Sequence, residues 1–218
     1  MEKYPRADER SAMVEHQIRA RGISNSRVLE AMREIPRHIF IPHPYDTSAY
    51  EDNPLPIGSS QTISQPYIVA QMTELLDPEP GDNLLEIGSG SGYQTAILAV
   101  LSYHVTSIER IPSVANLARK NLAAINIKNV RILVGDGTRG YPVDAPYDGI
   151  LITAATPDIP QPLIDQLAIG GRLVAPVGGR ESQELVSLTR QVRGLVKSSH
   201  GGVRFVPLIG EYGWAENA

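Results

Sequence analysis

Residues 84–96, LLEIGSGSGYQTA, restrict the possible folds more than any other stretch of this chain. Apolar Leu84 and Leu85 lead through Glu86 and Ile87 into the turn Gly88-Ser89-Gly90-Ser91-Gly92, and a helical pattern follows. A buried strand, a glycine turn and a helix start are the opening of an α/β unit. Glycine permits positive φ and close approach of backbone to a ligand. The helix N-terminus beyond the turn offers free N–H groups and a partial positive charge. The segment therefore predicts a seat for a polar small molecule.

The rest of the chain repeats this strand and helix alternation. A helix is expected over 66–76, then strand 83–87, helix 91–102, strand 104–108, helix 112–125, strand 130–134, strand 147–153, a helix near 160–168 and strand 172–177. Strands near 184–193 and 203–208, joined through Gly201-Gly202, are expected to close the sheet as an antiparallel pair. Such alternation predicts an α/β fold, a doubly wound, mostly parallel sheet of about seven strands. Two amphipathic helices, near 8–20 and 26–35, precede it. Between them and the sheet, prolines 36, 42, 44, 54, 56 and 66 exclude a long helix or a central strand. The apolar residues Phe40, Ile41, Tyr45, Tyr50, Leu55 and Ile57 predict that this loop is ordered and packed on the main body. The expected organisation is one domain: helices and loop over 1–65, an α/β core over 66–178, and final strands and tail over 179–218.

Bulk composition narrows the function. The chain has 218 residues, no cysteine and a net charge of −4. A cysteine nucleophile is excluded, and nothing resembles the basic footprint of a nucleic-acid binder. No apolar run reaches the ~18 residues of a membrane span. The charged start, MEKYPRADER, does not read as a secretory signal. The expected setting is the cytoplasm, with no nucleic-acid or membrane partner. The five histidines (16, 38, 43, 104, 200) show no metal-ligand or general-base spacing.

Three strand ends should converge on the glycine turn, because ligands in open α/β sheets bind at the carboxyl ends of strands near the switch point. They bring Gly88 and Gly90, then Glu109, then Asp136. The dinucleotide pattern G-x-G-x-x-G is not met, since Tyr93 stands where its third glycine would fall. Glu109 suits ribose hydroxyls in either cofactor class. Glu86 before the turn and Gly135-Asp136-Gly137 after the third strand favour S-adenosylmethionine, whose cationic sulfonium and ammonium groups gain from an acid nearby. Asp136 can accept from the adenine amino group. Taken singly, each has a plainer reading: Glu109 as a helix cap, Asp136 as a turn residue, and Ser64 as the cap of the helix starting at Pro66.

Most of the chain, from Val28 to Leu208, resembles the protein-L-isoaspartate O-methyltransferase family. The resemblance lies in PIGSSQTISQPYIVAQMTELL (56–76), LLEIGSGSGYQTAILA (84–99), VTSIER (105–110), GDGTRGYPVDAPYDGILITAA (135–155), LIDQLAIGGRLVAPVG (163–178) and RFVPL (204–208). Many methyltransferases share the glycine motif, whereas Thr62-Ile63-Ser64 and Arg204–Leu208 are far more specific. The resemblance implies methyl transfer from S-adenosylmethionine to the free α-carboxylate of L-isoaspartyl residues in damaged proteins and peptides. S-adenosylhomocysteine is released, and repair proceeds through a succinimide. It gives Ser64 the catalytic role. It places Thr62, Ile63, Ser89, Arg110 and Gly137 beside the cofactor with the residues above, and Ile57, Val206, Pro207 and Leu208 beside the substrate peptide. The enzyme is expected to act as a monomer. A carboxylate acceptor is already ionised at neutral pH, so no general base is required. Two competing readings are methylation of another acceptor, such as a small molecule or RNA, and a non-catalytic module that binds damaged peptides. The acidic charge and the segment ITAATPDIP, which lacks the pattern of base-directed amino methylases, weigh against RNA. Retention of all the acids, glycines and Ser64 weighs against the module.

Overall fold

The computed structural model describes residues 4–216. It opens with α1 (Ala7–Met13), whose path continues through a wide π turn over Val14–Ile18 and a 3-10 turn over Arg19–Arg21 before Gly22 ends it. The helix expected over 8–20 is therefore three different windings in succession. Val14 and Ile18 nevertheless both reach the core. Helix α2 (Ser26–Glu34) is capped by the Asn25 side chain, which accepts from the Arg27 and Val28 amides. The proline-rich loop is ordered, as expected. It forms two 3-10 turns and a small antiparallel hairpin of β1 (Leu55–Gly58) and β2 (Gln61–Ile63). Phe40, Ile41, Tyr50, Ile57 and Ile63 all enter the core.

The main body holds α3 (Pro66–Leu76), β3 (Asn83–Ile87), α4 (Tyr93–Leu101), β4 (His104–Glu109), α5 (Pro112–Ala124), β5 (Val130–Val134), β6 (Tyr147–Ile152), α6 (Gln161–Gln166), β7 (Leu167–Gly178), β8 (Gln183–Gln191) and β9 (Gly194–Val203). The seven strands lie in the order β5-β4-β3-β6-β7-β8-β9, with β3 to β7 parallel and the last two antiparallel. The chain steps outward from β3 to β5, then crosses back to lay β6 on the other side of β3. The switch point thus falls between the carboxyl ends of β3 and β6.

Two sequence expectations need correction. The closing hairpin turns at Val192-Arg193, with Gln191 opposite Gly194, and not at Gly201-Gly202. Gly201, at φ +100°, sits where the β8–β9 register shifts. A glycine at positive φ there makes a bulge inside β9 and not a chain reversal. Val203 is thus the last residue of β9, residues 204–208 form no regular strand, and Pro207 only bridges Ala155. The helix near 160–168 also stops at Gln166, because Leu167 already pairs with Tyr147 of β6.

Alternation along β3 sends its side chains to opposite faces. Leu85 and Ile87 pack with Leu163 on the α6 side, and Leu84 packs with Met72 and Leu98 of α3 and α4. Glu86, on the same face as Leu84, must therefore lie beneath α4. Among the described residues no helix is long and apolar enough to cross a membrane.

Candidate active site

The glycine turn leaves β3 at the switch point. Gly88 has φ +96°, and a Cβ there would meet the Thr153 hydroxyl at 2.5 Å. Thr153 follows β6, and its hydroxyl donates to the carbonyls of Ile87 (2.9 Å) and Gly88 (2.6 Å). This ties the two strand ends together across the crevice. Gly90 donates its amide to Glu109 Oε2 at 3.1 Å, and Ile111 donates to Oε1 at 3.0 Å. Each Glu109 oxygen keeps lone-pair capacity for a further donor.

Three connected hollows surround the turn. The inner one is lined by Ser64, Ser89, Gly90, Ser91, Tyr93 and Gln94. An outer slot runs over Gly88, Glu109, Arg110 and Gly137 beneath Pro207 and Leu208. A groove on the far side is lined by Arg21, Ser64, Gln65, Tyr67, Arg204 and Phe205. Thr62, Ser64, Thr153 and Val206 belong to both the inner hollow and the groove, so these four mark where the two meet.

Ser64 follows β2, immediately before α3. Its hydroxyl makes no hydrogen bond among the described residues. The cap of α3 comes from elsewhere, because the Tyr67 amide donates to Asp52 Oδ1 at 3.0 Å. The capping role that Ser64 has on its own sequence context is thus filled by Asp52, and Ser64 borders the inner hollow and the groove. Thr62 is exposed beside it, while Ile63 is buried and anchors the segment.

The acids occupy three different situations. Glu86 is fully buried. One oxygen accepts from Thr95 Oγ1 and Ser107 Oγ, both at 2.5 Å, and the other has no partner among the described residues. Burial pushes its carboxyl up to about 7, against the pull of the Ser107 and Thr95 hydroxyls, and nearby Glu109 raises it further. Glu86 therefore braces β3, β4 and α4 under the turn and does not face the hollow. Asp136 caps the short turn Gly137–Arg139, accepting from the Thr138 amide (2.9 Å) and hydroxyl (2.7 Å) and from the Glu211 amide (2.8 Å). Partial burial raises its pKa, but the bonds from Glu211 and Thr138, helped by Arg139, outweigh this and hold it below the usual carboxylate range. Arg110 lines the outer slot and pairs with Glu216 at 2.7 Å.

The expected substrate residues divide between the hollows. Val206 borders all three, but Pro207 and Leu208 line the outer slot and not the groove. The Val206 carbonyl accepts from Ala155 N–H (2.8 Å), and Leu208 N–H donates to the Ala155 carbonyl (2.7 Å). The Phe205 amide donates to Gln183 Oε1 at 2.9 Å. With proline at 207, this segment has few amides left for pairing with an extended peptide. Ile57 is buried near Gly90, whose Cβ would stand 3.7 Å from Ile57 Cδ1. It roofs the turn and does not line the groove.

Sequence reasoning missed Thr153, Asp52 and the tail. The tail turns back after Leu208, with the Trp214 amide on the Leu208 carbonyl (2.8 Å) and the Tyr212 amide on Thr138 Oγ1 (3.1 Å). Glu211 pairs with Arg139. Thr153 could have been found as the residue ending the strand that flanks the switch point. Asp52 and the tail act through contacts remote in sequence that no local pattern announces.

The hollows also fit a polar ligand. Ser89 Oγ and Ser91 Oγ are buried, have no hydrogen-bond partner among the described residues and border the inner hollow, and buried hydroxyls are normally satisfied. The family model of protein-L-isoaspartate(D-aspartate) O-methyltransferase matches residues 8–213. The chain belongs to this family. Relatives of that name include one from Methanoregula boonei, 63% identical over 211 residues and covering 97% of both chains. One from Methanospirillum hungatei is 62% identical, covering 96% of this chain and 97% of the relative. A solved protein-L-isoaspartate O-methyltransferase superposes with a TM-score of 0.83 at 28% identity, over 95% of this chain and 67% of the other. A Plasmodium falciparum structure named for the same family, in complex with S-adenosyl-L-homocysteine, gives 0.79 at 26% identity over 92% and 98%.

Proposed function

We infer that this protein, as a single methyltransferase domain, methylates the free α-carboxylate of L-isoaspartyl residues in damaged proteins and peptides, with S-adenosylmethionine as donor. The observation that carries the reading is the meeting of two hollows at Thr62, Ser64, Thr153 and Val206. One hollow suits the donor and the other an acceptor peptide.

S-adenosylmethionine supplies an electrophilic methyl group on a sulfonium. Glu109 would accept from its ribose hydroxyls, with Gly88 and Gly90 giving close backbone approach. Gly137, Asp136 and Arg110 would bound the adenine end. Ser89, Ser91 and the first amides of α4 suit the methionine end, where a carboxylate gains from free N–H groups. Thr62 and Ile63 would close the slot from the β1–β2 hairpin. Glu86 would act from below, by holding the turn in shape.

The acceptor carboxylate arrives ionised, so the protein has only to orient it and keep water out. Ser64 Oγ, with no competing partner, would donate to one carboxylate oxygen and leave the other facing the donor hollow. Val206 would border the same junction. Alignment of this kind supplies roughly 7–11 kcal/mol in favourable cases. Methyl transfer leaves S-adenosylhomocysteine and the methyl ester; the backbone amide nitrogen that follows then attacks the ester carbonyl and expels methanol, and water opens the resulting succinimide in part to normal aspartate. The reading includes a monomeric enzyme acting on polypeptides in the cytoplasm, and the net charge of −4 weighs against a nucleic-acid partner.

Incubation with S-adenosylmethionine and an isoaspartyl peptide tests the reading. Mass spectrometry should find a base-labile methyl ester and then the succinimide. An unmodified peptide, in a protein that binds the cofactor, would contradict it.

A further inference from the structure

Asp52 lies outside the cofactor slot, yet it holds three residues of the acceptor groove. Its Oδ2 pairs with Arg21 Nη1 at 2.5 Å and accepts from Gln65 Nε2 at 2.5 Å. Its Oδ1 accepts from the Tyr67 amide at 3.0 Å. Gln65 and Tyr67 stand one and three residues after Ser64. The Arg21 guanidinium lies over the Tyr67 ring, 3.5 Å from its centre. Arg21, Gln65, Tyr67 and Ser64 all line the groove.

The mount of this carboxylate is rigid. Arg37 is fully buried and donates to the carbonyls of Ala49 (2.9 Å) and Asn53 (3.4 Å), while Gln17 donates to the Tyr50 carbonyl (2.9 Å). A helix cap needs only one carboxylate oxygen, and an exposed ion pair contributes little. One carboxylate that takes three donors from three residues of a single wall does more than either. It also neutralises Arg21, which is about half exposed at the groove. Without Asp52, the guanidinium is a second seat for any carboxylate, in competition with Ser64.

We propose that Asp52 is a positioning residue for the acceptor: it fixes the groove wall beside Ser64 and neutralises Arg21, so that the substrate carboxylate settles at Ser64 and not on the guanidinium. The inference rests on the proposed function and concerns the same site.

The test uses full-length Asp52→Asn and Asp52→Ala with an isoaspartyl peptide. Asparagine keeps an oxygen for the Tyr67 amide and loses the charge. Peptide KM should rise roughly tenfold in Asp52→Ala and less in Asp52→Asn, with Kd for S-adenosylmethionine within about twofold of wild type. A glutamate-rich peptide lacking isoaspartate should inhibit Asp52→Asn more strongly than wild type. That added inhibition should disappear in Arg21→Gln/Asp52→Asn. Unchanged KM and inhibition in Asp52→Asn would overturn the proposal. So would a parallel loss of peptide affinity, cofactor affinity and Tm, which a purely structural role produces. If Asp52→Ala does not fold, Asp52→Asn alone decides. An inactive wild-type protein would instead count against the proposed function.

Discussion

Replacing Glu86 by glutamine should stabilise the protein at alkaline pH and change it little near pH 5. The side chain is fully buried between β3, β4 and α4, with two hydroxyls on one oxygen and none on the other. Burial moves its carboxyl from an ordinary 4.5 to about 7. The folded pKa is the higher one, so its stabilising contribution is complete below about 4.5 and is lost as pH rises through about 7. At about 1.4 kcal/mol per pH unit, the gap implies a cost of about 3 kcal/mol for the ionised side chain above pH 8. Near pH 5 the cost falls below about 1 kcal/mol by the same linkage. Glutamine keeps a carbonyl for Thr95 and Ser107 and carries no charge. Calorimetric unfolding should therefore show Glu86→Gln melting roughly 5–10 °C above wild type near pH 8.5, and within about 3 °C of it near pH 5. A difference independent of pH, or a variant less stable than wild type near pH 8.5, would refute the reasoning.

Other outcomes follow from the site. Ser64→Ala should lower kcat roughly 10- to 100-fold, the range for one hydrogen bond to a charged group. Its Tm and cofactor affinity should stay unchanged, because the hydroxyl caps nothing; a fall in Tm without a fall in kcat would return Ser64 to a capping role. Glu109→Ala removes the acceptor for the Gly90 and Ile111 amides as well as the proposed ribose contact, and calorimetry should show cofactor affinity reduced by roughly 100-fold. Gly88→Ala should abolish cofactor binding, since its Cβ would meet Thr153 Oγ1 at 2.5 Å; binding near wild type would mean the turn adapts. Deleting residues 209–216 removes the Glu211 amide from Asp136 and Glu216 from Arg110, and should speed cofactor dissociation in stopped-flow measurements. An unaltered rate would make the tail a passive cover.

Local pattern carried the parts of this structure that depend on local chemistry. The alternation of short apolar strands and amphipathic helices specified the parallel sheet, and the 88–92 turn specified the binding edge. The same rule of alternation, applied to LLEI, also places Glu86 under α4. Its place two residues before the turn suggests a cofactor acid, but nearness in sequence is not nearness in space, and the side chain is buried away from the hollow. Gly201-Gly202 resembles a hairpin turn because glycine serves turns and bulges alike, and only strand pairing separates them. Ser64 remained ambiguous in sequence because its competitor for the cap, Asp52, arrives from a loop twelve residues upstream. The tail's grip on Asp136 and Arg110 spans the whole fold and leaves no periodic trace.

The most direct measurement compares two peptides that differ only in an isoaspartyl or aspartyl linkage, each incubated with the protein and labelled S-adenosylmethionine. The account predicts label in the isoaspartyl peptide alone, removable by mild base. Equal labelling of both, or of neither, would contradict it.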